Sequence, residues 1–115
     1  MEAKTQDILA RALARLQGLR NNVADLTSVE EIYVREYHEV LDKLEGIGVD
    51  TSDFRVPSSE VKPRVTGSSL GETHYSTKKY VPKALLLAKL DAVIAYFEII
   101  TADKPRKTGY STPDK

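Results

Sequence analysis

Apolar residues recur at intervals of three and four along two stretches of the chain. The first set is Leu9, Ala12, Leu16, Leu19, Val23 and Leu26, and the second is Tyr33, Tyr37, Val40, Leu44 and Ile47. This spacing is typical of a helix that buries one face. It predicts helices over residues 4–25 and 29–46. Because their connection is short, the two helices are predicted to pack side by side as an antiparallel hairpin.

The connection between these helices contains two overlapping helix-start signals. Ser28 precedes Glu31 by three residues, and Thr27 precedes Glu30 in the same way. In a capping box, the hydroxyl and the carboxylate each bind a backbone N–H group that the first turn leaves unpaired. The second helix is therefore predicted to begin with one of these two pairs.

A third apolar stretch predicts a helix over residues 80–102. Residues 81–100 read VPKALLLAKLDAVIAYFEII, and their apolar side chains cover about 200° of a helical wheel. The predicted hairpin can cover only part of such a helix, so the rest must contact a second copy of the chain or the preceding loop. Five residues are the predicted core or subunit interface: Leu86, Leu90, Val93, Ile94 and Phe97.

Residues 49–79, before this third helix, show almost no regular pattern. Four apolar residues alternate there with polar residues or proline, which is compatible with an extended strap along the bundle: Phe54, Val56, Val61 and Val65. Residues 67–71 are rich in glycine and serine and are expected to be mobile. So long a connection is compatible with either direction of the third helix.

The pattern as a whole predicts an all-α fold with three long helices in a bundle-like arrangement. An antiparallel helical hairpin would be followed by the long irregular loop and then by the apolar third helix. Residues 1–102 are expected to form a single domain. Residues 103–115, rich in proline, lysine and threonine, are expected to be a disordered tail.

Charge is balanced over the whole chain but is unevenly placed. Lys and Arg total 17, as do Asp and Glu, so no net charge attracts nucleic acid or an anionic membrane. Residues 28–45 are mainly acidic, whereas residues 55–83 are mainly basic. The basic segment is expected either to lie over the acidic helix of the same molecule or to contact a partner.

Basic residues of the loop form the candidate polar binding site: Arg55, Lys62, Arg64, Lys78 and Lys79. Tyr75 and Tyr80 lie between or beside them. Basic groups with interleaved aromatic side chains on an extended segment favour contact with a phosphate backbone and stacking on bases. The modest density of bases and the zero net charge favour the intramolecular interpretation over nucleic-acid recognition.

The sequence offers few groups for catalysis or metal binding. It contains no cysteine, which excludes a disulfide or a thiolate site. His38 shares a polar stripe with Asp42, but Arg35 stands where the di-iron bundle pattern has glutamate, so a solvated face is the preferred interpretation. His74 has serines nearby but no nucleophile-elbow motif. We therefore predict no catalytic residue, no cofactor and no metal ion.

The apolar run of residues 81–100 approaches the length of a membrane span. It contains four charged residues that would be costly at bilayer depth: Lys83, Lys89, Asp91 and Glu98. The N-terminal stretch also lacks the continuous apolar core of a secretory signal. Both observations predict a soluble, cytoplasmic protein.

Two segments, FRVPSSEVKPRVT and YVPKALLLAKLDAVIAYFEI, carry a resemblance. They resemble small uncharacterised prokaryotic helical proteins, which pair a similar proline-rich stretch with a leucine-rich closing helix that ends in Tyr-Phe. The resemblance covers roughly residues 32–100. It implies no activity, but it favours an ordered, specific loop.

These observations predict a non-enzymatic interaction subunit that self-associates and contributes to a cytoplasmic assembly, with another protein as a possible further partner. The alternative is a nucleic-acid-binding accessory protein that uses the basic loop of residues 55–79. A third hypothesis, an enzyme with a loop-borne site, depends on His74 alone. No pattern in the sequence identifies the partner or the number of subunits.

Overall fold

The computed structural model describes residues 3–102. In chain order they form helix α1 (Ala3–Ala24), strand β1 (Val29–Glu30), helix α2 (Glu31–Glu45), strand β2 (Lys62–Ser69), strand β3 (Glu72–Val81) and helix α3 (Lys83–Ala102). Two short 3₁₀ turns, Ser52–Phe54 and Ser58–Glu60, lie between α2 and β2. The predicted disordered tail, residues 103–115, lies outside the described residues.

Helices α1 and α2 form the predicted antiparallel hairpin. Ile8 and Ala12, in the first half of α1, line the same groove as Val40 in the second half of α2. The seam predicted for α1 is buried: Leu9, Ala12, Leu16, Leu19 and Val23. Buried residues of α2 belong to the same core, among them Tyr37, Val40 and Leu44. The helical spacing therefore identified the two faces that make this core.

Helix α3 packs against this hairpin and runs antiparallel to α1. At its start, Lys83 Nζ donates a hydrogen bond of 2.8 Å to the carbonyl oxygen of Ala24, the last residue of α1. Further along, Arg20 Nε lies 2.8 Å from Asp91 Oδ1. The start of α3 thus lies beside the end of α1, which settles the direction that the long connection left open.

Residues 49–61 form an irregular segment, called the strap here, that follows α2. The chain leaves α2 through Gly48, whose φ of 94° is accessible to glycine at little cost. The N–H of Val49 then binds the carbonyl oxygen of Leu44 at 3.0 Å. This bond is characteristic of a helix end closed by a left-handed residue, and it turns the strap back toward the helices.

The strap covers the part of α3 that the helical hairpin leaves open. Phe54 packs against Tyr96 of α3, with 5.6 Å between ring centroids. Lys89 Nζ donates a hydrogen bond of 3.0 Å to the carbonyl oxygen of Asp53. Val56 is buried in the core. Of the two predicted covers for the apolar third helix, the structure therefore shows the folded-back loop.

The all-α prediction is wrong, because residues 62–81 form a β-hairpin instead of an irregular loop. Strands β2 and β3 pair antiparallel, and β1 adds two residues to the other edge of β3, so the sheet order is β1-β3-β2. Val29 pairs with Val81, and Lys62 pairs with Tyr80. These pairs join the base of the hairpin to the helices, and the fold is mixed α and β.

The hairpin has no continuous buried face, which explains why the apolar pattern missed it. Every residue of β2 is exposed, and β3 is buried only at Val81. A strand is recognised in a sequence by an alternation of apolar and polar residues that reflects one buried face. Pro63, Gly67 and Gly71 weaken the strand pattern further.

The predicted capping box is also wrong. Helix α2 begins after Glu30, whose side chain makes no capping hydrogen bond. Ser28 Oγ instead accepts a hydrogen bond of 2.7 Å from Arg64 Nη1, and Val29 and Glu30 pair with β3. Residues 28–30, which the local pattern assigned to the helix start, instead contact strands that are distant in the sequence.

Candidate functional site

The β-hairpin of β2 and β3, called the arm here, extends from the end of the helices where α1 ends and α2 begins. The described chain measures 73 Å in its longest dimension and 28 and 20 Å in the others. Helices of 15 to 22 residues reach only about 23–33 Å. The arm therefore accounts for much of the extra length, and nearly all of its residues are exposed.

Three large apolar or aromatic side chains of the arm are exposed. Val65 and Tyr75 are register partners on the two strands, and they are 64% and 59% exposed. Leu70, at the tip, is fully exposed. A cross-strand pair of a β-branched and an aromatic residue stabilises a ribbon modestly, yet a two-stranded hairpin remains marginal without a packing partner. The outer arm therefore has apolar surface that no other part of residues 3–102 covers.

The turn at the tip contains a residue that its backbone conformation disfavours. Leu70 and Gly71 are the two central residues, with φ values of 50° and 82°. Two-residue turns with positive φ at both positions prefer Asn-Gly or Gly-Gly, and a side chain such as leucine costs about 1 kcal/mol there. Within residues 3–102 Leu70 is the only non-glycine residue with positive φ. Such a conflict between residue and conformation points to a functional role.

Both edges of the outer arm are open. The outer edge of β2 has no neighbouring strand among the described residues, and β1 covers only the last two residues of β3. Open edges carry unpaired N–H and C=O groups, which can accept a further strand. Between Val65 and Tyr75 only Glu72 carries a formal charge when histidine is neutral, so little charge opposes such a contact.

The root of the arm, in contrast, is fixed to the body of the molecule. The Arg64 guanidinium stacks on the Tyr80 ring, 4.1 Å from its centroid, and also binds Ser28. Lys78 Nζ lies 3.4 Å from Glu30 Oε1. These contacts hold the direction of the arm, while the outer half is held by contacts between its own two strands.

The predicted polar binding site is divided between two regions. Arg55 lies in the strap, whereas the other four basic residues lie at the root of the arm: Lys62, Arg64, Lys78 and Lys79. Lys79 lines a cleft at the root together with Glu31 and His38. The structure therefore brings four of the five bases together, and it places none of them on the outer arm.

Arg55 binds the acidic helix α2 of the same molecule. Its Nη1 lies 2.8 Å from Asp42 Oδ1, and its Nη2 lies 3.0 Å from Glu45 Oε2. The fully buried Thr51 donates a hydrogen bond of 2.6 Å from Oγ1 to Glu45. Hydrogen bonds from Thr51 and Arg55 lower the pKa of the Glu45 carboxyl. Arg55 thus fits the intramolecular interpretation of the basic segment, and Lys78 does so through Glu30.

His38 holds the strap and does not lie on a solvated face. It is half-buried, and its Nε2 accepts a hydrogen bond of 3.0 Å from the backbone N–H of Val56. An imidazole can accept at this nitrogen only when it is neutral. Burial and the positive charge of Arg55 lower the pKa of His38, and Asp42 opposes this shift in part. The protonation state of His38 therefore matters for strap docking.

Tyr37 is a second side chain that binds the strap backbone. Its hydroxyl lies 2.7 Å from the carbonyl oxygen of Phe54 and 3.3 Å from that of Lys89. Burial raises the pKa of Tyr37, so the phenol stays protonated and donates. Tyr37 thereby joins α2, the strap and α3.

The residues predicted as the core or interface of α3 lie mainly inside the chain. Leu86, Leu90 and Val93 are fully buried, Phe97 is 1% exposed, and Ile94 is half-buried. Of the exposed apolar side chains of the arm, Tyr75 was predicted only as a neighbour of the bases and Val65 as part of the strap, and Leu70 was missed. The β-branched and aromatic residues on either side of Gly71 are a weak strand signal, and the Leu-Gly turn lacks the Asn-Gly or Gly-Gly pair that usually indicates a hairpin.

His74 lies near the tip of the arm, where its Nε2 is 3.0 Å from Ser69 Oγ. Both residues are exposed, so solvent surrounds the pair. Between residues 3 and 102, no three His, Asp or Glu side chains converge in a way that could hold a metal ion. None of the helices in this range has the length and apolar content that a membrane crossing requires.

Comparison with protein-family models, curated proteins and solved structures finds no match for this chain. The resemblance of residues 32–100 to small prokaryotic helical proteins therefore stays a prediction.

Proposed function

We propose that this protein is a non-enzymatic interaction subunit that self-associates through its arm and contributes to a cytoplasmic assembly. The observation that carries the proposal is the exposure of Val65, Leu70 and Tyr75 on a hairpin that the helices do not cover. Burial of apolar surface is the main favourable contribution to protein association, and aromatic side chains are enriched at such contacts.

The arm, and not the third helix, is the surface that supports self-association. The large apolar side chains of α3 lie mostly in the core or against it, beside α1, α2 and the strap, and among them only Ile99 is exposed. An ordered hairpin that leaves its apolar side chains in water gains little from its own packing and still loses conformational entropy. A partner that covers the outer arm would provide the missing burial.

Shortening the arm tests this function. Replacing residues 65–75 by Asn-Gly keeps the root contacts of Arg64 and Lys78 and removes all three exposed side chains. We expect the parent protein to show a concentration-dependent dimer or higher oligomer by light scattering after size exclusion, and the shortened protein to be a monomer with the same helical circular dichroism. A parent protein that stays monomeric over about a hundredfold range of concentration would contradict the proposal.

Nucleic-acid binding, the alternative, has less support from the positions of the charges. Four of the five bases lie at the root, where Arg64 and Lys78 already contact Tyr80 and Glu30. The fifth, Arg55, binds α2, and the outer arm carries Glu72. Proteins that bind phosphate backbones lose affinity steeply as salt increases. Oligonucleotide binding that weakens with salt and is lost when Lys62 and Lys79 are replaced by glutamate would favour this alternative.

A further inference from the structure

We infer that the tip of the arm docks in an apolar groove on a second copy of the chain, where Leu70 is the inserted side chain. This inference rests on the proposed self-association and names its contact. The groove has a volume of about 130 Å³ and lies between α1 and α2. Three apolar and three basic residues line it: Ile8, Ala12, Val40, Arg11, Arg15 and Lys43.

The groove and the tip are complementary in polarity. Ala12 and Val40 are nearly buried, at 5% and 2% exposure, so they form an apolar floor beneath exposed basic residues. The tip has the complementary groups, because the apolar Leu70 matches the apolar floor and the acidic Glu72, two residues later, matches the basic residues above it. Seating Leu70 on the floor places Glu72 beside the basic rim.

The basic rim has charge available for such a partner. Arg11 already lies 2.8 Å from Asp7, one turn away on α1. Arg15 and Lys43 make no ion pair with another residue of the described range 3–102. A carboxylate that arrives with the tip therefore meets unpaired cations. Opposite charges at a contact edge guide association and fix its orientation.

The arm of the same molecule does not fill this groove. The root of the arm lies where α1 ends and α2 begins, since Val29 pairs with Val81. The groove is instead formed by the first half of α1 and the second half of α2. Leu70 is fully exposed, so it makes no packing contact with the rest of residues 3–102. In this arrangement Leu70 can reach such a groove only on another molecule.

The dimensions allow two copies to exchange tips. From Lys62 to Leu70 the arm extends about 26 Å, and the groove lies about 14–18 Å along the helices from the root. Two chains placed side by side in opposite directions can therefore each reach the groove of the other. A two-fold axis makes the two contacts identical and closes the assembly as a dimer.

The conformation of the turn agrees with a docking role. Asparagine or glycine would suit the position of Leu70 better, because its φ is 50°. A leucine there is useful only when its side chain is buried by a partner. Replacing it should thus leave the arm folded while removing the contact.

Leu70→Asn is the first test, because it favours the turn and removes the apolar side chain. We expect the dissociation constant of the dimer, measured by sedimentation equilibrium, to rise by about tenfold or more. The melting temperature should be unchanged or higher when both proteins are compared as monomers at low concentration. Leu70→Met should keep the dimer. Ile99→Asn is the matched control and should leave the dissociation constant unchanged. Ile99 is an apolar residue that is 61% exposed on α3, and it belongs neither to the tip nor to the groove.

A charge exchange tests the partner surface independently. Glu72→Arg and Arg15→Glu should each weaken the dimer, and the two changes combined should restore it to within about threefold of the parent. A combination no stronger than the single variants would overturn the inferred contact. This design separates a specific pairing from a general effect of net charge.

The outcomes distinguish the inference from the proposed function. A parent protein that is monomeric throughout overturns both. A dimer that disappears when the arm is shortened but survives Leu70→Asn and both charge reversals overturns the inference alone, and it assigns the contact to the open strand edges. A dimer lost in Leu70→Asn and restored by the charge exchange supports both.

Discussion

The strap and the arm follow one another along the chain, but they satisfy their backbone groups in different ways. The strap has no strand partner, and side chains of α2 and α3 bind its backbone: Tyr37, His38 and Lys89. The two strands of the arm pair with each other, so most of its backbone hydrogen bonds do not depend on side chains of the helices. Because buried backbone groups must find hydrogen-bond partners, a segment without a ladder depends on the protein body. A segment with its own ladder can project from the body and leave its side chains available for binding.

The largest expected difference between the two regions is in the packing of their aromatic residues. Phe54 of the strap is partly buried and contacts Tyr96, so we expect Phe54→Ala to lower the free energy of unfolding by about 2 kcal/mol, below the range for a fully buried ring. Tyr75→Ala on the exposed arm should change it by no more than about 0.5 kcal/mol. Urea unfolding at a concentration where the chain is monomeric measures both. Equal losses would show that the arm is part of the stabilising core.

A smaller difference is expected for two arginines that contact carboxylates of α2. Arg55 binds Asp42 and Glu45 with its side chain only 27% exposed, so Arg55→Met should destabilise the protein by about 1 kcal/mol through loss of charged hydrogen bonds. Arg35→Met is the matched control. Its ion pair with Glu31 is exposed and 3.7 Å long, so its removal should change stability by less than about 0.5 kcal/mol. If both variants lose the same stability, Arg55 does not hold the strap.

The smallest expected effect is a dependence of strap docking on pH. The pKa of His38 is lowered in the folded protein, so the unfolded chain binds more protons between the folded pKa and about 6.5. Stability is therefore fully present above about pH 6.5 and decreases as the pH falls through the folded pKa. The charged groups that face the His38 ring lie on α2, the strap and β3: Arg55, Asp42, Glu31, Arg35 and Lys79.

His38→Gln should flatten this decline, because the amide oxygen can replace Nε2 as acceptor for the Val56 N–H without titrating. Urea midpoints measured between pH 7.5 and pH 5 test this in a range above the titration of Glu45 and Asp50, whose pKa values are lowered. An equal decline in the variant would assign the pH dependence to another group.

The candidate site was predictable only in part. The charge pattern left open whether bases of residues 55–83 meet the acidic segment or a partner, and Arg55 and Lys78 bind the acidic segment. The alternation of apolar residues indicated a strap on the bundle, which is confirmed for Phe54, Val56 and Val61 and wrong for Val65, which is exposed on the arm. Neither pattern indicates that Leu70 is at the tip of a hairpin. Its exposure follows from strand pairing, which involves backbone groups common to all residues.

The sequence by itself determined the three helices and their buried faces. Helices α1 and α2 repeat their apolar residues with the helical period, and burial of Leu16 and Leu44 in one core follows from that local pattern. Helix α3 is instead apolar over about 200°, which predicts burial of residues such as Leu90 but not which neighbour covers each part of the helix. Only the tertiary structure decided the direction of α3, the docking of the strap and the existence of the arm. These depend on contacts between distant residues, such as Val29 with Val81 and Lys83 with Ala24. A periodic pattern records which face of an element is buried, but not which distant segment covers it.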